Sequence, residues 1–145
     1  MLRLAQPGDS QTVRELFLEY AAGLEVDLSF QDFDAEVADP FAVYEAILLA
    51  EGGCAALRRV DEETCELKRL YVRPAARGGG LGRRLAEAAV AEARRRGYRR
   101  LVLDTLPSMT AAHALYESLG FARIDAYRFN PVLGTTYWRL PLAPE

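Results

Sequence analysis

Soft metal ligands are scarce in this chain: 145 residues carry two cysteines and one histidine. Cys54 and Cys65 lie in apolar segments with neither a C-x-x-C nor a Cys/His spacing, so no metal site and no dithiol redox motif is expected. They read as small core residues of a reduced, cytoplasmic protein. Long apolar runs are missing as well. Nothing approaches the ~18 residues of a membrane span, and the start, Met1-Leu2-Arg3-Leu4-Ala5, has no charged leader ahead of an apolar stretch. Neither export nor a membrane partner is expected. There is little net charge either, −3 in all, but the average hides a division. Lys68 to Arg100 holds eleven basic residues against two acids, a net of +9, which leaves −12 for the remainder. Residues 77–96 of that basic stretch contain no aromatic side chain, so the stacking platform of a nucleic-acid binder is absent. What is present is an ordinary globular balance, half hydrophobic and 27% charged, in a length that suits one domain covering 1–145.

Leu2 to Ala5 alternates briefly before Pro7-Gly8, a short strand and a turn. Asp9 or Ser10 suits a helix N-cap, followed by Val13, Leu16, Phe17 and Tyr20 at helical spacing, with Gly23 as the stop. Glu25 to Asp39 holds six acids and no base, and Phe30, Phe33 and Val37 give it the stripe of a short second helix. Ala46 to Ala50, the turn Gly52-Gly53 and Cys54 to Val60 form a hairpin. Asp61-Glu62-Glu63 then turns the chain into a strand from Thr64 to Val72, cut off by Pro74. Beyond the glycines at 78–80 and 82, Leu85, Ala86, Ala89, Val90 and Ala93 make a helical stripe that ends at Gly97. Leu101-Val102-Leu103 is a compact strand. Ser108 or Thr110 caps a helix carrying Ala112, Leu115, Tyr116 and Leu119, stopped by Gly120. Phe121 to Phe129 and Thr135 to Leu140 read as two last strands. The order β-α-α-β-β-β-α-β-α-β-β describes an α/β sheet with a glycine-rich strand-to-helix turn at its middle.

Such a turn is suited to anions, because the first turn of a helix leaves its N–H groups unpaired and adds a positive dipole end. A P-loop would end in Gly-Lys-Ser/Thr, whereas Gly82 is followed by Arg83-Arg84. A dinucleotide fingerprint, Gly-x-Gly-x-x-Gly, finds Arg83 or Leu85 at its third glycine and lies mid-chain instead of after the first strand. The third reading is a pyrophosphate loop for coenzyme A, with Arg77-Gly78-Gly79-Gly80-Leu81-Gly82 in the pattern Arg/Gln-x-x-Gly-x-Gly/Ala.

Here a family resemblance becomes specific. Glu66-Leu67-Lys68-Arg69-Leu70-Tyr71-Val72-Arg73-Pro74, this loop, and Ala112-His113-Ala114-Leu115-Tyr116-Glu117-Ser118-Leu119-Gly120-Phe121 together resemble the GNAT superfamily of acyl-CoA N-acyltransferases. The match covers roughly residues 64 to 140. It implies a mixed, mostly antiparallel central sheet flanked by helices and splayed between the fourth and fifth strands. It implies acetyl-CoA as acyl donor, no metal, and direct attack by a primary amine in a ternary complex. Leu70, Tyr71 and Val72 match the strand that pairs with the pantetheine arm, and an amide near Leu70 or Tyr71 would polarise the thioester oxygen. Arg77, Gly78, Gly79, Gly80, Leu81, Gly82 and Arg83 would cradle the phosphates, the glycines letting backbone approach and the arginines adding charge. Arg94, Arg95, Arg96, Arg99 and Arg100, at the far end of the helix, complement its negative dipole end instead.

Tyr116 matches the tyrosine that similar enzymes place near the coenzyme A sulfur, where a hydrogen bond steadies the leaving thiolate; a packed helix tyrosine is the plain alternative. Glu66, early on the fourth main strand, stands where many similar enzymes carry a glutamate base. The competing reading is a strand carboxylate paired with Lys68 or Arg69, and Asp104 at the end of the next strand is a second candidate base. Alternation places Glu66 on one face with Lys68, Leu70 and Val72, opposite Leu67, Arg69 and Tyr71. His113 reads as a solvated or packed histidine. Many relatives have Asn seven residues before the tyrosine; here Met109 stands there, and the adjacent Ser108 is the substitute for that pantetheine contact.

The acceptor is shaped, by the same resemblance, by Glu25 to Asp39 and Phe129 to Gly134. Six acids in the first would favour a cationic amine, and a solvated helix face is the bland alternative. Tyr127, Phe129, Tyr137 and Trp138 would add an aromatic wall or belong to the core. A small amine, an amino acid and a peptide amine all stay open, as do monomer and homodimer. A non-catalytic acyl-CoA sensor is the rival function: it would keep the loop and lack a route from Leu70 past Tyr116 to an acceptor cleft.

Overall fold

The computed structural model describes residues 1–24 and 32–142. Seven strands, β1 (Arg3–Leu4), β2 (Ala46–Ala50), β3 (Gly53–Arg59), β4 (Thr64–Val72), β5 (Arg100–Thr105), β6 (Ala122–Ile124) and β7 (Thr136–Pro141), form one sheet in the order β1-β2-β3-β4-β5-β7-β6. Every neighbouring pair is antiparallel except β4 and β5. The helices among the described residues are α1 (Ser10–Gly23), α2 (Phe33–Ala38), α3 (Pro40–Val43), α4 (Leu81–Arg95) and α5 (Thr110–Ser118).

Two apolar clusters cover the two faces of the sheet. Leu81, Leu85, Ala89 and Ala93 of α4, with Tyr116 of α5, pack over Ala55, Leu57, Cys65, Leu67, Leu101 and Leu103. Val13, Leu16 and Phe17 of α1, with Phe33 of α2, pack over Ile47, Leu49, Cys54 and Ala56. Both cysteines are buried free thiols, as their apolar surroundings implied. Helix α4 sits close on the sheet: a Cβ at Gly53 would come within 2.9 Å of Leu85 Cδ1 and of the Tyr71 carbonyl oxygen. Gly53 is therefore a packing requirement at the start of β3, beyond its part in the turn.

Among the described residues the parallel pair is also incompletely joined. β4 and β5 are paired over three residues, Thr64–Glu66 against Arg100–Val102, yet β4 runs on to Val72 and β5 to Thr105. Beyond Glu66 the two strands part, which is the expected splay.

Just past the join β4 departs from strict alternation. The register with β3 shifts between Cys54 and Ala56, which pair with Tyr71 and Lys68, so an extra residue is accommodated on β4 as a β-bulge. Arg69 carries it, with φ of 58°, a left-handed conformation that is uncommon for a residue with a Cβ. Lys68 and Arg69 consequently share the α1 face with Glu66 and Tyr71, while Leu67, Leu70 and Val72 join the α4 core. The alternation predicted Arg69 opposite Lys68 and Leu70 beside it; the bulge reverses this because it adds one residue to a two-residue period.

Two boundaries also differ. β6 ends at Ile124 instead of reaching Phe129, since Tyr127 and Arg128 turn inward to the buried Glu66 carboxylate. A short helix at Pro40–Val43, with proline in its first turn, was not foreseen.

Candidate active site

A groove of about 710 Å³ follows the edge of β4 that β5 leaves free. Its walls are Leu70, Tyr71 and Val72 on one side, Ser108 to Ala112 at the start of α5 on the other, and Tyr20 and Gly23 of α1 with the following Leu24 above. One end is the glycine-rich turn, where Arg77, Gly78, Gly80, Leu81 and Gly82 line the groove. Gly78 and Gly80 have φ of 92° and 80°, values that spare a side chain and keep the backbone bare. Gly80 is the N-cap of α4. The first helical bond runs from Arg84 N to the Gly80 carbonyl, which leaves the amides of Leu81, Gly82 and Arg83 to external acceptors.

The arginines divide the work differently from the sequence expectation. Arg77 lines the groove, with its Nε donating to the Val72 carbonyl at 2.9 Å. Arg83 does not line it: its guanidinium donates to Ser118 Oγ at 2.5 Å and ties α4 to α5. Arg84 braces the loop instead, donating to the Gly79 carbonyl at 2.8 Å, and Gly79 also lies off the lining. Arg95 and Arg96 pair with Glu92, Arg96 also with Glu45, and Arg100 with Glu63. Those bases are engaged by carboxylates away from the groove, where solvation or the dipole end of α4 was expected to hold them.

At its inner end the groove meets a smaller cavity in the split, and the two share Tyr20, Leu24, Leu70, Met109 and Ala112. This cavity of about 50 Å³ is lined further by Lys68, Arg69, Asp104, Thr105, Tyr116 and Asn130. The Arg69 carbonyl accepts from Cys54 Sγ at 3.4 Å and so faces back towards β3. The C=O and N–H of one trans peptide point in opposite directions, so the Leu70 N–H faces the split. The Arg69 side chain is held by Glu36 of α2, Nε and Nη2 donating to the two carboxylate oxygens at 2.6 and 2.8 Å. Tyr20 and Phe33 present their rings to the guanidinium at 5.5 and 5.4 Å. Glu36 is therefore a buried structural partner, while Asp32, Asp34 and Asp39 are exposed. Glu25 and Asp27 of the acidic segment lie outside the described residues.

Tyr116 is buried, and burial pushes its hydroxyl well above the ordinary phenol range. Glu66 is 0% exposed and saturated. Tyr127 Oη donates to Oε2 at 2.6 Å, and Arg128 and Arg58 approach Oε1 at 2.7 and 3.0 Å. Burial alone would raise its carboxyl; Lys68, Arg128, the Tyr127 bond and Arg58 outweigh that and hold it below the carboxylate range. Glu66 is absent from the lining of both cavities. Of the paired-carboxylate alternative, Lys68 is present as a charge partner, Arg69 is held by Glu36 instead, and Arg58 and Arg128 make the direct contacts.

Asp104 is placed otherwise. It lines the inner cavity, its side chain is 8% exposed, and its Oδ2 is buried with no hydrogen-bond partner. Oδ1 stands 3.8 Å from Lys68 Nζ, too far for a hydrogen bond. His113 is packed, its Nε2 bonded to Thr105 Oγ1 and the Leu106 carbonyl. Of the aromatic wall, Tyr127 and Tyr137 are tied to Glu66 and to the Arg128 carbonyl, Trp138 is core, and Phe129 is 83% exposed. Arg58, Arg128 and the inward turn of Tyr127 were missed, because pairing across the sheet and from a loop leaves no local spacing to read. Among the described residues no His/Cys/Asp/Glu group is arranged to hold a metal, and no helix is long and apolar enough to cross a membrane.

A sheet that opens at its one parallel pair, with a glycine-rich helix start at the mouth of the opening and a long groove between them, defines an acetyl-CoA-dependent acetyltransferase. The acetyltransferase (GNAT) family model matches residues 11–121, and the chain belongs to that family. It is 35% identical to an N-acetyltransferase of Schizosaccharomyces pombe over 94% of this chain and 91% of that one. An N-acetyltransferase of Escherichia coli is 34% identical over 82% and 77%. Among solved structures, an acetyltransferase from Streptococcus agalactiae superposes with a TM-score of 0.76 at 24% identity, covering 98% of both chains. A Salmonella typhimurium protein solved with its cofactor acetyl-CoA gives 0.72 at 25% identity, over 100% of this chain and 95% of that one.

Proposed function

We propose that this protein transfers the acetyl group of acetyl-CoA to a primary amine by direct attack, with the donor along the groove and the acceptor entering through the split. The observation that carries this reading is continuity. One path leads from the amides at the start of α4, past the free edge of β4, to a cavity holding both a tyrosine and a carboxylate with an unused oxygen.

The pyrophosphate would meet the free amides of Leu81, Gly82 and Arg83 and the charge of Arg77, an electropositive cradle built mostly of backbone. The pantetheine arm would extend β4 at Leu70 to Val72, with Ser108 and Met109 across from it. The Leu70 N–H is the donor for the thioester oxygen, which gains negative charge as the amine nitrogen bonds to the carbonyl carbon. In the tetrahedral adduct the nitrogen carries an acidic N–H, and Asp104 Oδ2 takes that proton. The C–S bond then breaks, leaving an acetamide and the coenzyme A thiolate, towards which the Tyr116 hydroxyl donates. Its raised pKa keeps that proton on the phenol as a hydrogen-bond donor and makes full transfer a small part of its role.

Asp104 replaces Glu66 as the proposed base for a physical reason. A carboxylate that already accepts from a tyrosine and two arginines is a poor proton acceptor. Glu66 is better cast as the charge that fixes Arg128 and Tyr127, and through them the loop before β7. A non-catalytic sensor would have no use for an open carboxylate at the inner end of its groove.

The test is binding first. Acetyl-CoA should raise the melting temperature, and Gly80→Glu, which puts bulk and negative charge at the helix start, should abolish the rise. An unchanged rise in the variant overturns the loop assignment.

A further inference from the structure

The charged groups lining the inner cavity are Lys68, Arg69 and Asp104. Arg69 is answered by Glu36 at 2.6 Å, so its charge is spent within the protein. Lys68 and Asp104 form a looser pair, with the Glu66 carboxylate as a second charge partner of Lys68. They stand 3.8 Å apart, nearer than bulk solvent would leave them and yet not hydrogen-bonded to each other, with side-chain exposures of 4% and 8%. Asp104 Oδ2 is buried with no hydrogen-bond partner, and Lys68 Nζ, 3.8 Å from Oδ1, leaves it free. A buried carboxylate oxygen left short of partners, beside an ammonium held only at ion-pair distance, costs free energy. A ligand bearing the complementary pair would recover it.

That complement is a donor for Asp104 and an acceptor for Lys68 on one small molecule. A plain cationic amine satisfies the first and adds a like charge beside the second. The surrounding charge weighs against it too: behind the lining, Arg58 and Arg128 both stand on Glu66, so with Lys68 three cations face the two carboxylates Glu66 and Asp104. We infer that the acceptor is a free amino acid, its amino group on Asp104 Oδ2 and its carboxylate on Lys68 Nζ, with Asn130 at the side of the same cavity. The acids at Asp32, Asp34 and Asp39 point to solvent and leave this inner pair to select the substrate. The inference rests on the acetyl-transfer reading and narrows its acceptor.

The experiment is thiol release from acetyl-CoA with each amino acid set against its own amide, which keeps the side chain and the amine but loses the carboxylate charge. The amide's amine is the more readily deprotonated, so without recognition the amide would be the better substrate. At least one amino acid should exceed its amide tenfold or more in kcat/KM, and Lys68→Met should bring that ratio towards one. Because Lys68→Met leaves Asp104 without its counter-charge, the wild-type protein is also melted with coenzyme A plus the N-acetyl amino acid or its amide; the acid alone should add stability. Amides or simple amines turned over as well as the acids, or stabilising as much, overturn the inference and leave acetyl transfer standing. Failure of the wider reading is seen separately, as no melting shift with acetyl-CoA itself.

Discussion

Glu36 and Arg69 connect the acceptor side of the molecule to the proposed polarising amide, and removing the carboxylate tests that connection. Glu36→Gln keeps the shape and leaves a buried guanidinium whose carboxylate has gone. Breaking a buried pair from one side costs about 3–5 kcal/mol. The rings of Tyr20 and Phe33 and the other contacts of Arg69 remain, which argues for the lower end, about 3 kcal/mol. At about 2–4 °C per kcal/mol for a chain of this size, the melting temperature should fall by about 6–12 °C. Urea unfolding of wild type and variant gives the free-energy difference directly. Catalysis should suffer beyond stability, because Arg69 holds its left-handed φ of 58° and that conformation aims the Leu70 N–H at the split. Outright loss of such a donor costs about 10²–10³ in kcat; a loosened one should cost about tenfold, with little change in KM for acetyl-CoA. The double variant Glu36→Leu with Arg69→Met removes both charges and should recover most of the stability while kcat stays low. A loss under about 1 kcal/mol, the value of an exposed pair, would refute the buried-anchor reasoning, and full recovery of kcat in the double variant would refute the link to the amide.

Three kinetic and solution outcomes stand beside it. Tyr116→Phe should lower kcat more than it raises KM for acetyl-CoA, and Asp104→Asn should lower kcat at least as far while Glu66→Gln acts chiefly on stability; equal activity in Asp104→Asn would return the base to another group. Acid unfolding follows from carboxylates held below their usual range: Glu19 by the Arg73 guanidinium, Glu92 by Arg95 and Arg96, Asp61 by the Glu63 amide. Their folded-state pKa values lie below the unfolded ones, so their contribution is complete above about pH 5 and is lost as pH falls through about 4 and lower. The melting temperature should be level from pH 8 to about 5 and drop below that; a level trace down to pH 3 would contradict it.

Much of this was legible along the chain because it depends on neighbours in sequence. The Gly78–Gly82 turn, the apolar stripe of α4 and the alternating strands are local patterns, and the spacing of Arg77, Tyr116 and Gly120 carried the family with them. The hairpin at Gly52-Gly53 was legible as well, although the reason for Gly53, contact with Leu85 and Tyr71, was not. Glu66 illustrates the limit. Its position on β4 could be read from the sequence, but its two guanidinium partners come from β3 and from a loop more than sixty residues later, and they turn a candidate base into a saturated ion network.

Residue order alone determined the class of protein: a strand, a bare glycine turn and an amphipathic helix leave amides free for phosphate whatever surrounds them, because the unpaired donors belong to the helix end itself. Tertiary structure decided which residues meet. One inserted residue at Arg69 exchanged the faces of β4, and the parting of β4 from β5 left Lys68 and Asp104 close together and buried, with Asp104 Oδ2 short of a partner. Neither consequence is written in local periodicity, since a bulge is defined only against the partner strand and a buried charge is costly only in relation to what the rest of the chain brings near it.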